Sequence, residues 1–296
     1  MQRKGGTVPD NGYFGRKSVT WKVAREGILN LGGGRAVLMQ LAHPLVAAGV
    51  SEHSRYMSDP LGRAESTFML GQLLTFGSIE TARKAAHTIN RLHTHVHGTL
   101  PLPAGDYAVG ESYRARDPAL LLWVHATLVD TALLIYPLFI GPLSRDEQEQ
   151  YYQESKALAR LLGLSSSDMP ATIDELRHYI DDMIYSNRLV ATPQARELAR
   201  TVLYPPVSDV FRPFLHLNLQ ITCALLPQPI REIYGLEWGS KQQRLFDLST
   251  AGMRLILPHL PPHWRVLPIT RTIMQKGSAG NHAGHKKGHD NQPANR

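Results

Sequence analysis

His93 lies where a helix would turn its side chain toward the protein interior. The segment 78–98 is typical of one helix, with Ser78 as the N-cap and Gly98 as the terminator. His93 shares one face of that helix with apolar residues, and the face comprises Ala82, Ala86, Ile89, His93 and Val96. A buried neutral imidazole is either a hydrogen-bonded core residue or a ligand of a metal ion or haem iron. The spacing alone leaves both uses open.

Two more histidines follow on the same segment. His95 is turned about 200° around the helix from His93 and is expected to be exposed. His97 is predicted to lie one turn beyond His93, near the same face, so the two could share one metal ion, with His43 as a third candidate ligand. No glutamate follows His93, as the HExxH signature would require. A non-haem metalloenzyme that uses His93 and His97 is therefore an alternative that no known metal-binding motif in the sequence supports.

Arg63 and Thr67 are the candidate catalytic residues. They are four apart and share a helix face, so a guanidinium and a hydroxyl could converge on one pocket. The alternative is a surface arginine beside a threonine that bonds to a carbonyl of its own helix. The pattern itself does not decide between them.

Two further histidines stand in apolar surroundings and are candidate cofactor-binding residues. His43 precedes Pro44, which interrupts a helix-like run over residues 35–50. His125 and Asp130 lie in the apolar stretch 119–140 and must find polar partners there. We predict that His125 pairs with a haem propionate or with Asp130.

Helix punctuation recurs along the chain, whereas alternating β-branched strands are nearly absent. Together these patterns predict an all-α fold with at least six helices. The predicted helix starts are Asp117-Pro118, Ser144 with Glu147, Thr172 with Glu175, Thr192-Pro193, and Ser240 with Gln243.

Length and composition fit one large helical domain, because 296 residues with 43% hydrophobic side chains can bury a sizeable core. The single cysteine, Cys223, excludes an internal disulfide and a thiolate metal cage. Residues 1–30 contain no apolar run suited to a signal peptide. We therefore expect a cytoplasmic protein, and a homo-oligomer is compatible with the sequence.

The formal net charge of +7 is concentrated in the two ends of the chain. Residues 1–25 and 263–296 each contribute +5, which leaves −3 for residues 26–262. Since a bound nucleic acid needs a basic face on the folded body, a nucleic-acid partner is not expected. The basic ends leave peripheral contact with anionic membranes open. Residues 119–140 could span a bilayer by length, but His125 and Asp130 would be costly there, so a core helix is predicted and no transmembrane segment.

Four motifs in order resemble the catalytic domain of the MpaB and rubber-oxygenase (latex clearing protein) family over about residues 20–265. They are Gln40-x2-His43-Pro44, Arg63-x3-Thr67, Arg91-Leu92-His93-x2-Val96-x-Gly98, and Asp117-Pro118-x4-Trp123-Val124-His125. The resemblance implies a helical fold with a globin-like core that holds haem b, and O2-dependent attack on carbon–carbon double bonds of isoprenoid chains. By the same resemblance His93 matches the proximal iron ligand, and Arg63 and Thr67 match pocket residues.

The sequence departs from the family pattern at two points. The rubber oxygenases carry a lysine that can close the distal side, and Ser66 stands at that position here. Their proposed glutamate base has only Glu52 and Glu65 as candidate counterparts. The expected activity is therefore oxidation of a smaller apolar substrate rather than rubber, and the alternative is a haem- or lipid-binding protein without turnover.

These patterns divide the chain into three parts. Residues 1–20 are expected to form a basic arm, residues 21–275 a helical haem-binding domain, and residues 276–296 a disordered tail rich in Gly, His and Asn.

Overall fold

The computed structural model describes residues 11–206, 208, 210 and 212–279. Within these residues the protein is mostly helical and has only a two-stranded sheet, so the prediction of an all-α fold is confirmed. The helices are α1 Val19–Ala24, α2 Gly33–Leu41, α3 Pro44–His53, α4 Pro60–Phe76, α5 Ile79–Thr94, α6 Pro118–Phe139, α7 Arg145–Leu161, α8 Ile173–Tyr185, α9 Pro193–Leu203, α10 Arg212–Leu225, α11 Gln228–Tyr234, α12 Ser240–Ile256, α13 Pro262–Arg265 and α14 Pro268–Ala279. Short 3₁₀ helices cover Gly27–Gly32, Ser166–Asp168 and Leu257–His259. Two strands, β1 His97–Thr99 and β2 Ser112–Arg114, pair antiparallel.

The predicted basic arm and the predicted tail are only partly covered by the described residues. Residues 276–279 belong to the end of α14, and the rest of the predicted tail, residues 280–296, lies outside the described residues. Residues 1–10 of the predicted arm also lie outside them.

The helix starts follow the capping residues that the sequence indicates. Asp117 accepts from the backbone N–H of Ala119 at the start of α6, and Ser144 forms a complete capping box with Glu147 at the start of α7. Thr172 and Thr192 cap α8 and α9 by accepting from the backbone N–H groups of Glu175 and Ala195, without a reciprocal side-chain bond. The predicted cap at Ser240 is wrong by one residue. Gly239 is the N-cap of α12, and its backbone N–H donates to the side-chain oxygen of Gln242.

Helix α6 is the central element of the core. Trp123, Ala126, Ile135 and Phe139 are fully buried, and α6 packs against α2, α7, α8 and α12. By length and composition α6 could cross a membrane, and it is the one helix among the described residues of which this is true. The core helix of a soluble protein passes the same test, and its buried side chains fit that use.

Two glycines let α2 lie close to its neighbours. A Cβ atom on Gly32 would overlap the side chains of Ile135 and Thr131 in α6, and one on Gly34 would overlap the hydroxyl of Thr222 in α10. Glycine is therefore needed for this close approach. The contact also fixes the start of the helix that carries Arg35.

Helix α5 ends earlier than the sequence indicates. It stops at Thr94 with His95 as its C-cap, and the chain then turns into β1, where His97 pairs with Arg114. The prediction of one helix over 78–98 is wrong over its last four residues, because the cross-strand hydrogen bonds to β2 replace the helical ones. His97 is consequently not one helical turn beyond His93.

Candidate functional site

The first turns of α4 bring Arg63 and Thr67 together. Asp59 caps the helix by accepting from the Gly62 N–H, and Pro60 occupies its first turn. Arg63 Nη1 donates to Thr67 Oγ1 at 2.5 Å, so the two side chains meet as their spacing predicts. Burial lowers the pKa of Arg63 below its ordinary value, but a guanidinium stays charged at any physiological pH.

The ring of Tyr56 is a second neighbour of the Arg63 guanidinium. Arg63 Cζ is 5.6 Å from the centre of that ring, which is cation–π distance. Tyr56 is itself buried in a core cluster that includes Leu41, Ala47 and Leu198. Arg63 thus contacts both an aromatic ring that belongs to the core and a hydroxyl of its own helix.

His93 projects from the last turns of α5 with a ring nitrogen left unpaired. The seam predicted for this helix is present, since Ala82 and Ala86 are buried and His93 is half-buried. Its Nδ1 atom is removed from solvent and has no hydrogen-bond partner among the described residues. Burial, followed by the positive charges of Arg63 and Arg116, lowers the pKa of His93, so the imidazole is neutral at neutral pH. His95 is exposed, as predicted.

These groups form a donor set of a definite kind. His93 offers a neutral imidazole without a protein partner, Arg63 and Arg116 place two positive charges near it, and Thr67 adds a hydroxyl. A neutral imidazole can bind a metal, and guanidinium groups bind carboxylates. The set suits an anionic, metal-containing cofactor.

The other two candidate histidines have protein partners. His43 is 4% exposed and its Nε2 lies 3.0 Å from the hydroxyl of Tyr107, while its Nδ1, like that of His93, is buried without a hydrogen-bond partner among the described residues. The Nε2 of His125 lies 3.2 Å from the hydroxyl of Ser155. Burial lowers the pKa of each to about 4, with smaller contributions from Arg188 near His43 and from Lys156 near His125.

The predicted pairing of His125 with Asp130 is wrong. Asp130 Oδ2 instead accepts from Arg35 Nη2 at 2.6 Å, because Arg35 reaches α6 from α2. Arg35 is 4% exposed and also donates to Thr131 Oγ1 and to the carbonyl oxygen of Leu225. His125 and Asp130 therefore find their hydrogen-bond partners on different neighbouring helices, α7 and α2.

The premise for sharing a metal between His93 and His97 is also wrong. His97 lies in β1, and its carbonyl oxygen is 3.0 Å from Nε2 of His53. Across the described part of the chain, no group of three or more His, Cys, Asp or Glu side chains is placed to hold a metal ion. The i, i+4 geometry that motivated the non-haem alternative is not present.

Comparison with known proteins identifies the chain. The family model described as "ER-bound oxygenase mpaB/B'/Rubber oxygenase, catalytic domain" matches residues 21–255. The chain belongs to this oxygenase family. Arg63, Thr67 and His93 all lie within the matched region, and membership supports an oxidoreductase that uses O2.

Two similar proteins come from mycobacteria. "Uncharacterized protein Rv2237" of Mycobacterium tuberculosis and "Uncharacterized protein Mb2261" of Mycobacterium bovis are each 28% identical over 233 residues, which is 75% of this chain and 88% of the relative. No solved structure matches the chain.

The positions at which this member of the family departs from the family pattern are exposed. Ser66 donates to the carbonyl oxygen of Gly62 at 2.7 Å, so its hydroxyl is bonded within α4. Glu65 is exposed on the same helix. Glu52, at the end of α3, accepts from the Tyr113 hydroxyl at 2.6 Å and borders a cavity of about 320 Å³ beside residues 100–105 and 190–194. Neither glutamate contacts Arg63, Thr67 or His93 through a hydrogen bond or ion pair in the described part of the oxygenase.

Sequence reasoning missed Tyr56 and Arg116 near the site, and it missed Tyr113, which is the partner of Glu52. Tyr56 lies before α4, Arg116 lies between β2 and α6, and Tyr113 lies in β2. None belongs to a spaced motif with the residues that it meets, because each contact joins different elements of the fold. The Asp-Pro pairs at the starts of α4 and α6 indicate where these helices begin, but they do not indicate which residues Tyr56 and Arg116 meet.

Proposed function

We propose that the protein is a haem b-dependent oxygenase that acts with O2 on an apolar, isoprenoid- or lipid-like substrate. The observation that carries this proposal is the buried, unpartnered Nδ1 of His93 beside two guanidinium groups, in a domain of an oxygenase family. Buried polar atoms normally have partners, so an orphaned imidazole nitrogen calls for a ligand. A globin-like arrangement of the helical core around the cofactor is part of the proposal.

The residues present fit haem. His93 would ligate the iron, and Arg63 and Arg116 would supply positive charge for the two propionates. When bound, haem would supply the iron at which O2 is activated for oxidation of a carbon–carbon double bond. His43 and His125 each pair with a protein hydroxyl through Nε2. The Nδ1 of His43 is also unpartnered, but we assign the iron to His93 because two guanidinium groups lie near it, whereas His43 has Arg188 and Asp117 near it.

The protein's own groups would control polarity at the site. Thr67 and Tyr56 hold the Arg63 guanidinium in one place, which keeps a fixed positive charge near His93. Preorganised charge of this kind needs no rearrangement during the reaction. The apolar, lipid-like substrate is part of the proposal because the chain belongs to a family described by its oxygenases, among them rubber oxygenase.

Purification from haem-replete cells tests the cofactor. We expect a Soret band, about one b-type haem per chain in a pyridine haemochrome assay, and matching iron content. His93→Ala should lose the haem or shift the spectrum. His87→Ala removes an exposed histidine of the same helix and should change neither. Haem retained by His93→Ala with an unchanged spectrum would refute the assignment of the ligand.

Turnover is tested separately on the haem-loaded protein. We expect O2 uptake with an unsaturated isoprenoid and carbonyl products from cleavage of a double bond. The second candidate function, haem or lipid binding without turnover, is favoured by Ser66 in place of the family lysine. Tight haem binding without O2 uptake across a panel of unsaturated lipids would support that second candidate and exclude the oxygenase.

A further inference from the structure

Helix α12 carries apolar side chains on two opposite sides. Its inner side packs Phe246 and Met253 into the cluster formed by α6 and α10, and Thr250 is buried beside them. Its outer side exposes four large apolar residues, which are Leu245 at 64%, Leu248 at 73%, Leu255 at 75% and Ile256 at 61%. We call these four residues the α12 outer face.

The four residues of the α12 outer face lie along one side of the helix rather than around it. At 100° per residue, all four residues fall within a sector of roughly 100°, which lies opposite Phe246 and Thr250. Single exposed leucines are common on protein surfaces and need no explanation. A continuous apolar stripe on one helix of a folded domain instead marks a surface that contacts something apolar.

The charge around this stripe is strongly positive. Residues 240–276 contain six Lys and Arg residues and a single acidic residue, Asp247. Three of the basic residues, Lys241, Arg244 and Arg254, are exposed on α12 itself. Trp264, on α13, is 73% exposed. Exposed leucines, basic side chains and tryptophan are the composition of surfaces that enter the boundary of an anionic bilayer.

We propose that the α12 outer face docks the protein onto an anionic lipid bilayer. A symmetric contact with a second copy fits less well, because it would bring Lys241 and Arg244, which lie within or beside the stripe, of both copies together. The high exposure of the four residues also means that they protrude, so they can enter a lipid surface without a complementary groove. This inference concerns a surface that is separate from the cofactor and does not depend on haem binding.

Vesicle sedimentation of the full chain tests the proposal, with phosphatidylcholine vesicles that either contain or lack phosphatidylglycerol. The wild type should bind the anionic vesicles. Leu248→Gln/Leu255→Gln should lower the partition coefficient at least about tenfold, at low and at high salt, because burial of apolar surface is not screened. Lys241→Gln/Arg244→Gln should weaken binding at low salt only.

The matched control is Leu102→Gln/Val109→Gln. It changes two apolar residues that are 59% and 64% exposed elsewhere, and it should bind as the wild type does. Circular dichroism verifies folding, and if the double leucine variant is unfolded, each single substitution should still weaken binding about threefold.

Three results would overturn the proposal. They are no binding of the wild type to anionic vesicles, equal binding by the leucine variant and the wild type, and loss of vesicle binding by the control to the same extent. A dimer that the leucine variant dissociates, with no vesicle binding, would assign the α12 outer face to self-association instead.

Discussion

Arg63 and Thr67 are joined by two hydrogen bonds that run in opposite directions. Arg63 Nη1 donates to Thr67 Oγ1 at 2.5 Å, and the same hydroxyl donates to the Arg63 carbonyl oxygen at 2.9 Å. The sequence interpretation of a threonine bonded to its own helix is therefore confirmed, and the two side chains meet, while a shared pocket for this pair stays a prediction. The hydroxyl couples the guanidinium to the backbone of α4.

Removal of this hydroxyl should release Arg63. Thr67→Val keeps the shape of the side chain but loses the hydrogen bond that positions the Arg63 guanidinium. If the proposed function is correct, we expect O2 uptake by the haem-loaded protein to fall roughly tenfold or more, and Thr67→Ser to restore most of it. Because Thr67 is exposed, both variants should melt within a few degrees of the wild type. Equal activities of the valine and serine variants would show that the hydroxyl has no part in the reaction.

The ion pair between Arg35 and Asp130 should be a large contributor to stability. Asp130→Ala leaves the guanidinium of a residue that is 4% exposed with one partner fewer. Since Asp130 is 28% exposed, we expect a loss of about 2 to 3 kcal/mol in the free energy of unfolding, below the range for a fully buried pair.

Urea denaturation of the protein without haem measures this loss. The control is Glu80→Ala, which breaks an exposed pair with Lys84 and should cost less than about 1 kcal/mol. A loss for Asp130→Ala no greater than that of the control would contradict the prediction.

The helices were predictable because their signals are local. Asp117, Ser144, Thr172 and Thr192 each cap the helix that follows, and every one of these contacts spans only two or three residues. The end of α5 was not predictable in this way, because it depends on pairing between His97 and Arg114, which are remote in sequence.

In the site, too, contacts within one helix were predictable from the sequence, whereas contacts between helices were not. The spacing of Arg63 and Thr67 predicted their contact, since both lie on one helix. The partner of Asp130 was assigned wrongly, because a residue of its own helix was preferred over Arg35, which is 95 residues away. Periodicity reports which face of a helix is buried, but it does not report which neighbour covers that face.

His43 should make the stability of the protein depend on pH. Burial lowers its pKa to about 4, so the unfolded chain takes up a proton before the folded protein does. The neutral His43 makes its full contribution to the free energy of unfolding above about pH 6.5. This contribution falls as the pH drops toward 4, where the free energy of unfolding is lower by about 3 kcal/mol than at neutral pH.

The His43→Gln variant removes this titration and can still bond to Tyr107. Urea denaturation between pH 7 and about 4 should therefore show a stability loss that is smaller than in the wild type by about 3 kcal/mol. The His87→Gln variant removes an exposed histidine and should keep the wild-type dependence. Parallel profiles for the wild type and both variants would mean that His43 titrates near its ordinary pKa in the folded protein.

Ser66 should leave room for an added ligand at the haem if the proposed function is correct. Its side chain is exposed and bonds only to the Gly62 carbonyl oxygen, while the related oxygenases have a lysine there that can close the distal side. In the haem-loaded protein, Ser66→Lys should shift the ferric Soret band and weaken imidazole binding about tenfold, which corresponds to 1.4 kcal/mol. Ala64→Lys adds the same charge two residues away, turned about 200° around α4, and should leave both measurements unchanged. If Ser66→Lys binds imidazole as tightly as the wild type, then position 66 does not face the iron, and the match between this α4 and that of the rubber oxygenases does not extend to the distal side.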